Sequence, residues 1–348
     1  MQLASVNLNR LVIFVALAGL STSLAAKDYS RLFAKVDPTV VEIKTSESQL
    51  ELSEEGVVNT TSHGLGSGVI ITKGGLILTA SHVVHDANEV TVELLDGRTF
   101  SARVLSSIIT ADIALIEIVD SPGDLPAARI GDSNDINTGE EVFVVGAPYG
   151  LSHTLTTGNL SGRRIHEDEI MFEEMEFLQT DAAINQGNSG GPLFSANGEL
   201  IGIVSHIQTQ TGGSVGLGFA ASINMAKKLV LDRPALWWGM RYLPLTNDAL
   251  RVLNVPDYSE GLLIQHVTEG SLAAAFNIHA GVIPMMLGEQ KIMLGGDVIV
   301  EVGGHNLYQT RAGFERIQTY INSVKKGDEL EITVFREGEK KILTAIKP

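Results

Sequence analysis

Cysteine is absent from all 348 residues. Without a thiol, disulfide scaffolds, thiolate zinc sites and cysteine nucleophiles are excluded. Aromatic residues make up only 5% of the chain and charged residues 19%. Basic residues are the scarcer sign, with Lys+Arg 25 against Asp+Glu 41, a net charge of −16. A surface of that balance repels phosphate backbones, which argues against nucleic acid as a main partner. Hydrophobic residues still reach 44%, too many for a long disordered chain. What is plentiful is glycine, 36 residues, set between short apolar runs, a pattern that leans towards a β-rich architecture. At roughly 100–200 residues per domain, the length suggests two domains, each with its own core.

The one long apolar run, Leu11 to Leu20, follows a single basic residue, Arg10, and leads into Ser21, Thr22, Ser23, Leu24, Ala25 and Ala26. Small side chains at Ser23 and Ala25 fit a signal-peptidase site, so residues 1–25 are expected to be a signal peptide cleaved after Ala25. The apolar core is short of the ~20 residues that span a bilayer. Extended through Ala26 it becomes a marginal span, and the alternative is an uncleaved inner-membrane anchor, the only route to membrane contact. An exported chain without cysteine suits the bacterial periplasm, where exposed thiols are oxidised.

Residues 26–232 form the first domain and read, from about Val40 to Ala221, as short strands, among them Val40–Lys44, Gly68–Ile71, Leu76–Thr79, Val90–Leu95, Ala114–Ile118, Val142–Val145 and Leu200–Val204. Turns such as Lys73-Gly74-Gly75, Asp96-Gly97 and Ala196-Asn197-Gly198 separate them, which argues for sandwiches or barrels. The acidic run Glu47 to Glu55 reads as a solvated loop. A helix from Asn224 to Leu231, capped by Asn224 and stopped by Pro234, closes this part. Residues 233–348 change rhythm. Strands at Gly261–Val267, Asp297–Val302 and Glu329–Phe335 alternate with a short helix at Ser271–Phe276 and a longer one. In the longer helix Phe314, Ile317, Ile321 and Val324 recur on one face. This is a small α+β domain.

Three local sequences carry chemistry: Thr79-Ala80-Ser81-His82-Val83-Val84, Ala111-Asp112-Ile113-Ala114-Leu115 and Gly187-Asn188-Ser189-Gly190-Gly191-Pro192. A serine hydroxyl is a poor nucleophile until a base takes its proton, and His82, after a strand, can be that base. Asp112 can hold the imidazole tautomer and stabilise the imidazolium. Ser189 lies in a glycine turn where the N–H groups of Gly187 and Ser189 can converge on a developing oxyanion. His82 and His85, three apart and beside Asp86, raise a metal site as an alternative, but no further ligand cluster accompanies them. Asp181 reads as a structural acid, and His153, His166 and His206 as surface residues.

The order His, Asp, Ser on a β-rich chain is the chymotrypsin-like one. With TASHVV, ADIAL, QTDAAINQGNSGGPL, GELIGIV and GLGFA in order, the sequence resembles trypsin-like serine proteases and, within them, the HtrA/Deg family. The resemblance implies a chymotrypsin-like double β-barrel followed by a PDZ domain, mostly β overall. It implies an ATP-independent serine endopeptidase acting on misfolded or regulatory envelope proteins, with no cofactor and no metal. It further implies a pocket shaped by Ala183–Gly187, Ile203–His206 and Gly216–Gly218, hence by Ala183, Ile203, Val204, Ser205 and His206. No acid stands in those segments, so cleavage after small or medium aliphatic residues is expected rather than after Arg or Lys. Asn188, where digestive relatives have aspartate, excludes their propeptide-dependent ion pair. A sensor loop at Asn159 to Glu176, with Arg163 or Arg164 as relay, is implied instead.

In the PDZ reading, Trp237, Trp238, Gly239 and Met240 form the carboxylate-binding loop for C-terminally exposed or unfolded polypeptides. The tryptophans have packing at the domain interface as an equal alternative. An insertion at 279–295, with three methionines, departs from a standard PDZ domain. A homotrimer is implied, with Tyr29 and Phe33 as interface candidates. The competing class is a peptide-binding holdase or scaffold with vestigial proteolysis, against which the complete His82, Asp112 and Ser189 set argues.

Overall fold

The structure, a computed structural model, describes residues 28–53, 56–147, 150, 153–168, 173–207, 215–232, 236–288, 290–307 and 310–348. The expected signal segment, the stop at Pro234 and residues 169–172 of the expected sensor loop lie outside the described residues.

A short helix α1 (Ser30–Val36) leads into six strands: β1 (Val40–Ser53), β2 (Gly56–Ile70), β3 (Leu76–Thr79), β4 (Glu89–Glu93), β5 (Thr99–Ile108) and β6 (Ile113–Ile118). One-turn helix α2 (Ser81–Val84) lies between β3 and β4. The strands close into a barrel in the order β1-β2-β3-β6-β5-β4, with Ile43 opposite Val92 at the seam. Val41, Ile43, Ile70, Ile77, Val92 and Ile116 fill it. Each such side chain contributes about 1.5–3 kcal/mol relative to exposure. The expected acidic loop is instead hairpin: β1 and β2 stay paired from Val40 opposite Val69 out to Ser53 opposite Gly56. Backbone pairing needs no apolar alternation, so a ribbon that leaves the barrel gives no sequence signal there.

The second barrel takes β8 (Glu141–Gly146), β9 (Thr154–Glu167), β10 (Glu174–Thr180), β11 (Pro192–Ser195), β12 (Glu199–Ile207) and β13 (Gly218–Ser222). Their order β11-β8-β9-β10-β13-β12 closes through β11 and β12, and the short β7 (Arg129–Ile130) runs parallel to β12. Between the barrels lies a shared core that includes Val69, Leu78, Ile113, Phe143, Phe194 and Ile203. Tyr29 and Phe33 of α1 rest half-buried against that core, Tyr29 with its ring 5.6 Å from that of Phe143. Helix α3 (Ile223–Ala226), continued by a wider turn over Lys227–Leu231, is capped by Ser222 and not by Asn224. Ser222 Oγ accepts from Met225 N, the ordinary geometry for the residue just before a helix, while Asn224 Nδ2 donates to Asp132.

The remaining residues form a second α+β unit. Its sheet runs β14 (Met240–Thr246), β15 (Glu260–Val267), β18 (Val298–Val302), β20 (Glu329–Arg336) and β21 (Glu339–Ile346), with β19 (His305–Asn306) on β18. Helices α4 (Asn247–Val252), α5 (Leu272–Ala275) and α6 (Arg311–Ser323) accompany it. Asp297, fully buried, is neutralised by two bonds from Arg336, at 2.8 and 2.7 Å, and accepts from His279 N. The insertion makes a hairpin, β16 (Ile283–Leu287) with β17 (Gln290–Leu294), tied to β15 where Gln265 bonds Met293 N and O.

Candidate active site

β3 ends at Thr79, Ala80 is extended, and α2 begins at Ser81. Val84 is fully buried in the first barrel, so the same turn sends His82 outward, its side chain 51% exposed. Asp112 sits in the β5–β6 turn with φ 50, the left-handed region that aspartate tolerates better than most residues. Its carboxylate meets His82 Nδ1 with both oxygens at 2.9 Å and accepts the His82 backbone N–H at 3.0 Å. Ser205 Oγ donates to Asp112 Oδ2 at 2.5 Å. A carboxylate only accepts, so the proton of neutral His82 belongs on Nδ1 and Nε2 keeps its lone pair. Burial pushes the Asp112 carboxyl up, but the bonds from His82 and Ser205 outweigh it and hold the group below the usual carboxylate range.

Ser189 lies in the turn before β11, between Gly187 at φ 100 and Gly190 at φ 82. First-barrel groups pin this turn. Ser67 N donates to Ser189 O at 2.8 Å, and Ser67 Oγ donates to Gly187 O at 2.7 Å. Gly190 N and Val204 N tie the turn to β12 through Val204 O and Gly191 O. Among the described residues, neither the Gly187 nor the Ser189 N–H is engaged by another protein group, so both remain available to an incoming oxygen. Ser189 Oγ donates to the Ser205 carbonyl at 3.2 Å, and no hydrogen bond joins it to His82 Nε2 among the described residues. Asn188 is buried, and its Oδ1 has no hydrogen-bond partner among the described residues.

The expected pocket residues divide. Ala183 is exposed, with its carbonyl bonded to Thr156. Ile203 and Val204 have fully buried side chains, one between the barrels and one inside the second, because β12 is covered on both faces. Only their backbone can face a substrate. Ser205 belongs to the Asp112 network, a role its sequence context does not signal. His206 bonds Ser205 Oγ at 2.9 Å and stacks on Phe219, ring centres 5.1 Å apart. Burial lowers its pKa; Asp112 opposes that shift and His82 adds to it. A cleft of about 460 Å³ borders Asp112 and is lined by His82, His85, Phe177, His206 and Arg241. Ser67 was not anticipated, although the Gly66-Ser67-Gly68 stretch marks a close approach of chains. A Cβ on Gly68 would stand 2.8 Å from Ile77 and 2.9 Å from Ile43.

A family model described as a trypsin-like peptidase domain matches residues 66–203. A probable periplasmic serine endoprotease, DegP-like, of Halomonas elongata is 34% identical over 80% of this chain and 55% of its own length. The periplasmic pH-dependent serine endoprotease DegQ of Escherichia coli is 34% identical over 79% of this chain and 57% of its own. Among solved structures, a substituted form of the HtrA-type protease AlgW with a decapeptide covers 92% of this chain and 97% of that one. It matches at TM-score 0.56 and 27% identity. AlgW with a tripeptide covers 92% and 96% at TM-score 0.52 and 28% identity. The chain belongs to the HtrA/Deg family of trypsin-like serine proteases. It spans about half the length of the curated relatives it matches.

Other residues singled out in this HtrA-family chain fall as follows. Arg163, on β9, donates to Glu176 at 2.6 Å, to Ile136 O at 2.8 Å and to Ser133 O. Arg164 donates to Gln179 at 2.6 Å. Most of the expected sensor loop is thus paired strand, β9 against β10. Asp181 accepts from Asn159 N at 2.5 Å, a structural contact. His153 is not a surface residue: three-quarters or more of its side chain is covered, and it bonds the buried Asp37 at 2.7 Å. His166 stacks on Phe177 with ring centres 5.9 Å apart. Trp237 packs against the first-barrel core, Trp238 stacks on Phe276, and Met240 is buried. Gly239 stands at φ 60, where a Cβ would strike Ser271. No helix among the described residues is long and apolar enough to cross a membrane.

Proposed function

We propose that this HtrA-family chain is an ATP-independent serine endopeptidase of the periplasm that cleaves misfolded or regulatory envelope polypeptides. The observation that carries the reading is the His82 Nδ1 bond to both Asp112 oxygens beside a Ser189 turn with two N–H groups that no described residue engages. Ser189 Oγ attacks the scissile carbonyl as His82 Nε2 takes its proton, and Asp112 stabilises the imidazolium that results. The Gly187 and Ser189 N–H groups receive the oxyanion. His82 then protonates the departing amine, and water, deprotonated by the same imidazole, hydrolyses the acyl-enzyme. The first step requires Ser189 Oγ to turn from the Ser205 carbonyl towards His82.

The pocket of this reading takes small or medium aliphatic side chains, consistent with an exposed Ala183 and no acid in the segments described. Residues 233–348 act as a PDZ domain for C-terminal segments, with residues 1–25 as export signal and a homotrimer as the assembled form. Export is supported by relatives named periplasmic. A holdase or scaffold is the second reading, favoured by one observation, the Ser189 hydroxyl bonded to Ser205 O. Casein turnover separates them. Wild type is expected to degrade casein and to react with a fluorophosphonate, and Ser189→Ala to lose on the order of 10⁵–10⁶ in kcat. Equal, negligible turnover by both proteins, with casein still bound, would establish the scaffold instead.

A further inference from the structure

The first two residues of β14, Met240 and Arg241, do not simply abut the barrels; they engage the residues immediately after α2. His85 is buried and bonds at both ring nitrogens, Nε2 with Met240 O at 3.2 Å and Nδ1 with Ser107 Oγ at 3.0 Å. A carbonyl only accepts, so Nε2 carries a proton, and in the neutral ring Nδ1 accepts from the Ser107 hydroxyl. Ser107 Oγ in turn lies 2.8 Å from Ser81 Oγ, at the start of α2. The neighbouring Asp86 pairs with Arg241 at 3.2 Å, and Arg241 also reaches Glu47 at 3.4 Å. His82 and His85 stand three apart on one turn, hence on one face. Ala80 offers that turn no side-chain cap, and Asp112 accepts the His82 N–H instead. Its orientation is therefore set by Val84 beneath it and by the bonds at its two ends.

We infer that His85 is a positioning residue through which the second domain holds the turn that carries His82. The inference rests on the endopeptidase reading above and goes beyond it, because it assigns a route by which a domain outside the barrels sets the geometry of the base. His85 makes no contact with the reacting atoms. Its Nε2 is the only one of its two nitrogens that touches the second domain, and this makes the two halves of its role separable. A glutamine amide reproduces the reach of Nε2, whereas an asparagine amide reproduces that of Nδ1.

The experiment compares full-length wild type, His85→Gln and His85→Asn in casein turnover over a concentration series, with fluorophosphonate labelling rates measured alongside. His85→Asn is expected to lower kcat and the labelling rate about tenfold, the worth of one hydrogen bond, with KM within about twofold. His85→Gln is expected to restore both rates to within about threefold of wild type, which a role confined to the Ser107 side would not produce. Equal rates for the two variants, whether high or low, overturn the inference. Should His85→Asn fail to fold, Arg241→Met breaks the adjacent ion pairs and leaves His85 in place. It is expected to lower kcat about two- to fivefold at constant KM, and an unchanged kcat is then the overturning result. A wild type inert to both casein and fluorophosphonate defeats the endopeptidase reading, and this inference with it.

Discussion

Replacing Ser205 by alanine removes one atom from a buried contact and leaves its backbone in place. The hydroxyl donates to Asp112 Oδ2 at 2.5 Å, and Ser205 is 1% exposed, so no solvent route replaces the bond. A hydrogen bond to a charged group is worth about 1.5–3 kcal/mol, equivalent to about 10- to 150-fold in rate if it is all expressed in the transition state. Asp112 keeps two other donors, the ring and backbone nitrogens of His82. The expected loss is therefore near the lower limit, about tenfold in kcat/KM, carried by kcat. The pH dependence has a definite sign. Ser205 is among the groups that hold the Asp112 carboxyl low. Such a depressed carboxyl adds stability above its unfolded value of 3.8, which is lost as pH falls through the lower folded value. Ser205→Ala shrinks the depression, so acid unfolding should begin at higher pH. Casein kinetics at pH 7.5 and acid titration followed by circular dichroism measure both. A variant with kcat/KM within twofold of wild type and an unmoved acid transition would refute the reasoning.

Two further outcomes follow from the same structure. A Cβ on Gly190 would stand 2.1 Å from Thr79 Oγ1, 2.3 Å from Ser67 O and 2.8 Å from Ala80 N, at φ +82. Gly190→Ala should cost about 2–5 kcal/mol and abolish fluorophosphonate labelling, whereas Gly97→Ala, with a similar φ but open space, should cost about 1–2 kcal/mol and leave labelling intact. Burial pushes both His206 and His266 below their ordinary value of 6.5. The unfolded chain then binds protons near pH 6.5 while the folded one resists, so stability is full above that value and declines as pH falls towards the lower folded values. Urea midpoints should be lower at pH 5.5 than at 7.5, and His266→Gln should flatten the difference; an unchanged difference would place the titration elsewhere.

Local signals were legible in the sequence, and long-range ones were not. The strand at Leu76–Thr79 is read to the residue, since its apolar run is bounded by a glycine turn on one side and by the polar Ser81 and His82 on the other. The α5 helix is read as Ser271–Phe276, the observed Leu272–Ala275 with its two capping residues counted in. The β1–β2 ribbon beyond Thr45 is missed because backbone hydrogen bonds hold it, and such pairing needs no apolar alternation in the sequence. Asn224 is read as the cap because asparagine favours that position; the cap is Ser222, another good capping residue two positions earlier, and only the end of β13 shows it. His153 is read as surface because its acid, Asp37, lies far away in sequence and meets it only after folding.

The candidate site divides in the same way. His82, Asp112 and Ser189 are visible because each lies in its own local motif. Ser67 is invisible, and Ser205 is named only as a pocket residue and not as a partner of Asp112, because an isolated serine in a strand has no pattern; their roles depend on register. Val204 exchanges backbone bonds with Gly190 and Gly191, which sets β12 directly beside the Ser189 turn. With Val204 fixed there and its side chain in the second barrel, the next residue must present its carbonyl to Ser189 and its hydroxyl to Asp112. One strand position thus touches Ser189 of the second barrel and Asp112 of the first. The registry of β12, more than any single side chain, determines whether the three groups share a frame. A one-residue slip of that strand would put the buried Val204 where Ser205 stands, and a valine has no hydroxyl to give Asp112.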